Sequence, residues 1–347
     1  MKERVLYADI LRVAATFLVI TIHIASRDFS LYEMDSYQWQ VLNIFDSFAR
    51  MSVPLFFMLS GVFFLDPKRE FSIKKLYKKN LFRLVTAFIF WSALYAMIFT
   101  WNEYRTFNAE VLGIMVEAFK EGHYHLWFLF RMIEIYVMIP FLRKIAEDKK
   151  IILYLVAFCF YIGFILPSYN EFPVSSTVTF AERGVNLDIT FGYVGYFFIG
   201  YYLAHYDLKK WMKTGIYLLG AAGLISTIMI TSVESLKQGE HYDVPYEYLT
   251  PNVFFTSLAA FLLAKEKLQS KNFPAKFKRV LSEFSTYSFG IYLVHVLIIF
   301  LVWKANLNTL FTTPILSVPL LTLVIFLISY VCVKAMSKIP FVKRFIL

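Results

Sequence analysis

Residues 7–26 read YADILRVAATFLVITIHIAS, and this stretch decides the fold class of the chain. It is about 20 residues long and mostly apolar, which is the length that a helix needs to cross a bilayer. The stretch nevertheless contains Asp9, Arg12 and His23. An ionisable group inside a span costs about 3 kcal/mol or more unless it is paired or faces a wet cavity. The stretch therefore predicts a first membrane span that carries part of a functional site.

The spacing of these residues places Arg12 and His23 on one face of the predicted helix. They are eleven residues apart, which is about three turns, so roughly 16 Å of helix rise would separate them. Asp9 lies one turn from Arg12 on the opposite side from His23. Alternatively, Arg12 pairs with Asp9 and extends toward water, and its role is then only structural. The first span by itself leaves the functional and the structural interpretation open.

The composition of the whole chain is typical of a polytopic membrane protein. Of its 347 residues 59% are hydrophobic, and the mean hydropathy is +0.58, which is well above that of soluble domains. Both cysteines, Cys159 and Cys332, lie in apolar runs, so they indicate neither a disulfide framework nor a thiolate metal site. The first apolar run is long and charged and lacks a cleavage motif, so we expect a retained span rather than a signal peptide.

Ten apolar runs are long enough to be predicted as membrane spans. They are residues 7–26, 42–64, 82–100, 126–142, 151–167, 189–205, 214–232, 250–265, 286–304 and 316–336. We therefore expect an all-α polytopic membrane protein of about ten transmembrane helices. The expected organisation is one transmembrane domain over residues 1–347, with no appended soluble domain.

The loops between these runs alternate in charge. Lys and Arg concentrate in one set of loops, which includes residues 68–83, 143–150, 265–279 and 334–344, and the other set is richer in acids. Because cytoplasmic loops are enriched in Lys and Arg, this pattern predicts that both termini are cytoplasmic. It also accounts for the net charge of +10 without a nucleic-acid partner.

The second predicted span carries a charged pair and two helix-shaping residues. Asp46 and Arg50 lie one turn apart, either as part of a site or as a simple interfacial ion pair. Pro54 should kink the helix, because proline removes one backbone hydrogen bond. Gly61 should allow a neighbouring helix to approach closely.

The segment FSIKKLYKKNLFRLV, residues 71–85, leads into the third predicted span and is strongly basic. Attraction to anionic lipid head groups would explain such a segment. The functional alternative is a cytoplasmic opening that binds phosphates through Lys78, Lys79 and Arg83. Arg83 would then lie at about the height of Arg12.

The fourth predicted span opens with YHLWFLFRMIE, residues 124–134. His125 and Trp127 fall at its outer rim, where they could line an entrance or simply sit at the interface. Arg131 and Glu134 lie one turn apart inside the span, and such a pair can be architectural.

The ninth predicted span contains SEFSTYSFGIYLVH, residues 282–295. Ser288, Tyr292 and His295 share one helix face, and His295 falls near the middle of the membrane. The six histidines of the chain show no metal-ligand spacing, so we expect no metal site.

Sorted by expected height, these residues form two tiers. The lower tier is cationic and consists of Arg12, Lys78, Lys79 and Arg83. The upper tier contains the histidines and consists of His23, Asp46, Arg50, His125, Arg131 and His295. This arrangement suits an enzyme that takes an anionic donor from the cytoplasm and an acceptor from the other side. A transporter or flippase of a lipid-linked or anionic glycan would share the cations and is the alternative.

Four sequence blocks resemble the acyltransferase-3 family of ten-helix membrane acyltransferases. Arg12 and His23 match that family's Arg/Lys-x10-His signature, and SVPLFFMLSG (52–61), HLWFL (125–129) and YSFGIYLVH (287–295) match its later blocks. The four blocks occur in the family's order along most of the chain.

One departure from the family pattern concerns the third span. Many members carry a paired basic motif there, whereas Asn80 precedes Arg83 by three residues in this chain. Lys78 and Lys79 are left to replace the missing cation.

The resemblance implies an O-acetyltransferase of the bacterial inner membrane that modifies a polysaccharide of the cell envelope. Its donor would be cytoplasmic acetyl-CoA, with no metal, and its acceptor a hydroxyl of a cell-surface glycan or of its lipid-linked precursor. His23 would act as general base, either by direct transfer or through an acetyl-histidine relay. Arg12 would anchor the donor beside it.

The remaining residues take supporting roles under this interpretation. Arg83, Lys78 and Lys79 would bind the phosphates of CoA by charge-assisted hydrogen bonds. His125 and Trp127 would line the acceptor entrance. The candidates for orienting substrate or stabilising the thioester oxyanion are Asp46, Arg50, Glu134, Tyr292 and His295.

Overall fold

The computed structural model describes residues 5–171 and 187–347 of the chain. These residues form helices and connecting segments, with no β-strand among them. In chain order the helices are α1 (Leu6–Asp28), α2 (Tyr37–Ala49), α3 (Ser52–Phe64), α4 (Ile73–Lys75), α5 (Phe82–Tyr104), α6 (Ala109–Glu121), α7 (Trp127–Ile145), α8 (Lys149–Phe160), α9 (Leu166–Glu171), α10 (Leu187–His205), α11 (Lys210–Gln238), α12 (Pro251–Leu268), α13 (Ala275–Lys304), α14 (Pro314–Met336) and α15 (Pro340–Phe345). Two π-helical stretches, Leu76–Leu81 and Tyr161–Ile165, and the 3₁₀ turns Phe29–Leu31, Tyr124–Leu126, Val244–Tyr246 and Thr309–Phe311 connect them.

Eight helical segments of the described chain are long and apolar enough to cross a membrane. The protein is therefore an all-α, multi-pass membrane protein, as the sequence predicts. These segments coincide with eight of the ten predicted spans. The two other predicted spans, 189–205 and 250–265, coincide with α10 and α12, which are 19 and 18 residues long. The cytoplasmic position of both termini stays a prediction.

The first helix lies at the centre of the bundle. α1 packs against α2, α3, α13 and α14. Ala8, Ala15 and Ala25 are completely buried, because small side chains let several helices approach α1 at once. The ionisable residues of α1 consequently face protein and internal cavities rather than lipid.

The second predicted span is interrupted between α2 and α3, at Arg50 and Met51. Pro54 has no N–H to offer the carbonyl of Arg50, and its ring crowds that carbonyl. The kink predicted for Pro54 is therefore present, one turn before the proline. It leaves Arg50 at the end of α2, within reach of Asp46.

Close contact between α3 and α10 depends on two glycines. A Cβ atom on Gly61 would lie 1.8 Å from the carbonyl oxygen of Phe197, and one on Gly200 would lie 2.3 Å from the carbonyl oxygen of Met58. The two backbones touch directly, as small residues allow in membrane helix pairs. The packing role predicted for Gly61 is confirmed.

The connection over residues 101–125, between the third and fourth predicted spans, contains the helix α6. Asn108 caps this helix by accepting a hydrogen bond of 2.8 Å from the amide of Val111. Gly122 ends it with φ +75°, a conformation that glycine adopts without strain. This turn directs the chain into Tyr124–Leu126 and so positions the histidines beside it. Run length and hydropathy do not predict α6 as a span, because a helix of thirteen residues is too short to cross a bilayer.

Candidate active site

A cavity of about 410 Å³, here called the donor cavity, lies between α1, α3, α5, α7 and α13. Arg12, Lys79 and Arg83 line it, together with Tyr292. On α7 its lining extends over nine residues, from Tyr136 to Phe128, which is about 12 Å of helix rise. Three of the four predicted lower-tier cations therefore share one cavity.

The fourth lower-tier cation, Lys78, is exposed on the π-helical stretch and does not line this cavity. Consecutive residues of a helix point in directions about 100° apart, so Lys79 borders the cavity while its neighbour Lys78 does not.

Arg12 is held on the cavity wall by residues from two helices. Its Nη1 lies 3.6 Å from Oδ1 of Asp9, so the ion pair predicted within α1 is formed. Ser285 of α13 donates a hydrogen bond of 2.5 Å to Oδ1 of Asp9 and accepts one of 3.2 Å from Nη1 of Arg12. Ser285 was not singled out from the sequence, although it lies only three residues before Ser288.

Four histidines from three parts of the chain meet near the Tyr292 end of the donor cavity. The ring centroids of His23 and His295 are 5.1 Å apart, those of His125 and His295 are 5.5 Å apart, and those of His123 and His125 are 5.0 Å apart. The upper-tier histidines predicted from the sequence are thus neighbours. His123 was given little weight because it lies in a connection, and its only signal was its nearness to His125.

Two of these rings carry a buried nitrogen without a hydrogen-bond partner among the described residues. Nδ1 of His295 donates to the carbonyl of Tyr292 at 2.5 Å, so its Nε2 presents a lone pair. Nε2 of His295 and Nε2 of His125 are both buried and unpaired. An unpaired buried polar atom is costly, so these nitrogens mark a place where a bound molecule would supply the missing partner.

His23 borders a second cavity of about 340 Å³ together with Arg27, Tyr124 and Phe300. Tyr292, which lines the donor cavity, lies between the two spaces and donates a hydrogen bond to the carbonyl of His125. The ring of His295 contacts both Tyr292 and His23. The ring-centroid distance is 5.8 Å to Tyr292 and 5.1 Å to His23. The structure thus separates His23 from the lower cations by two side chains.

The family model for the acyltransferase domain of the acyltransferase-3 family matches residues 5–334 of the chain. The chain belongs to the acyltransferase-3 family. Searches of curated proteins and of solved structures gave no match. The resemblance of the four sequence blocks is confirmed at the level of the family, and the protein is a membrane acyltransferase that requires an acyl donor and an acceptor.

Tyr95 shapes the helix that carries His295 in this acyltransferase. Its hydroxyl donates to the carbonyl of Leu293 at 2.8 Å and accepts from the amide of Leu297 at 3.2 Å. In an undisturbed α-helix these two backbone groups would be partners, so Tyr95 inserts into the hydrogen-bond ladder of α13. Its ring also stacks on His123 at 4.5 Å. Nothing in the sequence distinguished Tyr95 from other aromatic residues of its span.

The acyltransferase contains both charged pairs expected in its upper tier. Arg50 makes two hydrogen bonds to Asp46, of 2.7 Å and 2.8 Å, and its guanidinium lies over the ring of Tyr246. Arg131 contacts Glu134 at 2.8 Å. The first pair is almost completely buried, and the second is partly exposed.

Trp127 and Arg131 of the acyltransferase do not border the histidines but line a third, larger cavity. Trp127 packs there against Tyr193 and Tyr248.

Within residues 5–171 and 187–347, no group of three or more His, Cys, Asp or Glu side chains could hold a metal ion.

Proposed function

We propose that this acyltransferase moves an acetyl group from cytoplasmic acetyl-CoA to a hydroxyl of a cell-surface glycan or of its lipid-linked precursor, in a bacterial inner membrane. The supporting observation is the donor cavity, which is bordered by three cations and by Tyr292 beside the four histidines. CoA carries several phosphates, which bind arginine and lysine by charge-assisted hydrogen bonds. Its thioester lies at the opposite end of a long uncharged arm, so the cations should line the cavity and the histidines should lie beyond its far end. The cations line the donor cavity, and the histidines lie beyond Tyr292, outside its lining.

The choice of a glycan as acceptor rests on the sequence blocks within the family. These blocks look most like those of the O-acetyltransferase that modifies enterobacterial common antigen. By analogy, the acceptor is a saccharide hydroxyl of the cell envelope, and the reaction takes place within one transmembrane domain.

The proposed chemistry assigns the proton transfer to His23. The acceptor oxygen attacks the thioester carbonyl while His23 takes the hydroxyl proton, and collapse of the tetrahedral intermediate breaks the carbon–sulfur bond. The departing thiolate of CoA then receives the proton from His23, which restores the neutral imidazole. Nε2 of His295, as a hydrogen-bond acceptor, would hold a neighbouring hydroxyl of the acceptor sugar, so that the attacking hydroxyl stays free to give its proton to His23.

Arg12 and Tyr292 have positioning roles in this mechanism. Arg12, fixed by Asp9 and Ser285, would anchor the donor arm within the cavity. Tyr292 stands between the donor cavity and His295, so the thioester has to reach the histidines past its ring. An acetyl-His23 intermediate would use the same geometry in two steps.

The direct test supplies labelled acetyl-CoA to the cytoplasmic side of membrane vesicles that contain the full chain. We expect label or an acetyl mass increment on the glycan, and none in vesicles that lack the protein. Movement of unmodified glycan across the membrane, without acetylation, would support the transporter interpretation and contradict the proposal.

Replacing Arg83 with alanine should raise the KM for acetyl-CoA by about 10-fold or more, with a smaller effect on kcat, because binding of the phosphates is the same in ground and transition state. Steady-state kinetics at varied acetyl-CoA concentration measure this. Lys78→Ala is the matched control, since Lys78 is a neighbouring cation outside the donor cavity. An unchanged donor KM in the Arg83 variant would contradict the phosphate role.

A further inference from the structure

The third cavity, here called the lateral crevice, lies between α7, α11, α12 and residues 244–250. Its volume is about 920 Å³, compared with about 410 Å³ for the donor cavity. Neither the donor nor the proton transfer described above uses this space.

One wall of the crevice is a continuous face of α11. Leu219, Ala222, Gly223, Ser226 and Ile230 line it, and their spacing places them on a single helix face. This face extends over twelve residues, from Leu219 to Ile230, which is about 16 Å of helix rise. Leu219 and Ala222 are exposed on the surface of the bundle, so the crevice opens sideways toward the lipid phase and could receive a long apolar chain from the membrane.

The end of the crevice near the 244–250 segment is aromatic. The ring of Trp127 lies 5.5 Å from that of Tyr248 and 5.6 Å from that of Tyr193. Aromatic faces provide flat apolar surfaces for sugar rings, and polar tips provide hydrogen bonds. Burial raises the pKa of Tyr248 to about 12, so its hydroxyl stays protonated and able to donate. Glu247 also lines this end, and its carboxylate can accept hydrogen bonds from sugar hydroxyls.

The crevice also contains a cation. Arg131 lines it four residues after Trp127 on α7, which is about 6 Å deeper in the membrane. Its bond to Glu134 engages Nη1, and the guanidinium fork has further donors for an anion. Aromatic rings, an arginine and an apolar helix face therefore line the same space.

The aromatic end also borders the buried Asp46–Arg50 pair. The guanidinium carbon of Arg50 is 6.0 Å from the centre of the Tyr248 ring.

We infer that the lateral crevice binds a polyprenyl-linked saccharide, with the isoprenoid chain along α11, the phosphate linker at Arg131 and the saccharide between Trp127 and Tyr248. The lining of the crevice provides an aromatic surface, a cation and an apolar helix face, one for each of the three parts of such a molecule. This inference rests on the proposed function and narrows its acceptor to the membrane-bound precursor. A phospholipid would fill the apolar part but has no sugar for the aromatic end.

The test uses the purified full chain in lipid nanodiscs and a polyprenyl phosphate that carries a photoreactive diazirine. With the diazirine in the isoprenoid chain, we expect photolabelling of the crevice-lining residues of α11, identified by mass spectrometry. Ala222→Trp, which fills the crevice, should reduce labelling at least about 10-fold. Ile225→Trp is the matched control, because Ile225 is 56% exposed on the same helix and does not line the crevice; it should change labelling less than about twofold.

Three results would overturn the inference. They are labelling of the wild-type protein outside the crevice, labelling that survives Ala222→Trp, and competition by excess phosphatidylglycerol as effective as that by unlabelled polyprenyl phosphate. Wild-type mapping and lipid competition need no variant, so they decide the matter even if Ala222→Trp does not fold. Labelling requires no acetyl-CoA, so a failure of acetyl transfer leaves this test intact. A protein that acetylates glycan but is not photolabelled in the crevice would contradict the crevice site and leave the proposed acetyl transfer intact.

Discussion

Replacing His23 with alanine should lower kcat for acetyl transfer by about 10²–10⁴-fold, the range that a lost general base produces. The KM for acetyl-CoA should change little, because the cations proposed to bind the donor lie in a different cavity from His23. Labelled acetyl transfer to glycan in proteoliposomes measures both parameters. Thermal unfolding in detergent should show that the variant remains folded.

His205→Ala is the control for this prediction. His205 ends α10, and its Nδ1 is hydrogen-bonded to the carbonyl of Tyr201 at 3.0 Å, so its removal should leave kcat unchanged. His295→Ala provides the critical comparison, since His295 lies between Tyr292 and His23. If the His295 variant were inactive and the His23 variant retained a normal rate, the role of base would pass to His295.

Replacing Asp46 with alanine should destabilise the protein by ~3–5 kcal/mol, because it leaves a buried guanidinium without its partner. The side chains of Asp46 and Arg50 are only 0% and 15% exposed. Arg50 also contacts Tyr246 and Tyr248, so its charge cannot move to water without disrupting the segment that covers α2. Denaturant or thermal unfolding in detergent measures the change.

Glu134→Ala is the matched control, because it removes a carboxylate from another arginine pair whose partners are about one helical turn apart. The side chains of Arg131 and Glu134 are 29% and 37% exposed, so Arg131 can be solvated in the crevice or reach the interface. We expect a loss of about 1 kcal/mol or less, as for exposed pairs. Equal destabilisation by the two substitutions would mean that burial does not set the strength of these pairs.

The site was predictable from the sequence where spacing along one helix fixes the geometry. Arg12 with Asp9, Asp46 with Arg50, and Arg131 with Glu134 were all expected one turn apart, and all three pairs are formed. For His23, His125 and His295, the sequence predicted only a similar height in the membrane and did not predict that their rings are neighbours. Ser285, His123 and Tyr95 were missed or given little weight, because their roles depend on which helices are neighbours, and helical spacing carries no information on that.

The sequence by itself determined that the chain is an all-α membrane protein with ionisable residues inside its spans, since hydropathy, run length and helical periodicity are local properties. Only the tertiary structure decided that Lys78 lies outside the donor cavity, that Tyr292 and His295 stand between the cations and His23, and that Trp127 faces a separate crevice. These features depend on how each helix is rotated against its neighbours. That rotation is set by close contacts such as Gly61 against Phe197 and Gly200 against Met58, which arise between residues far apart in the chain.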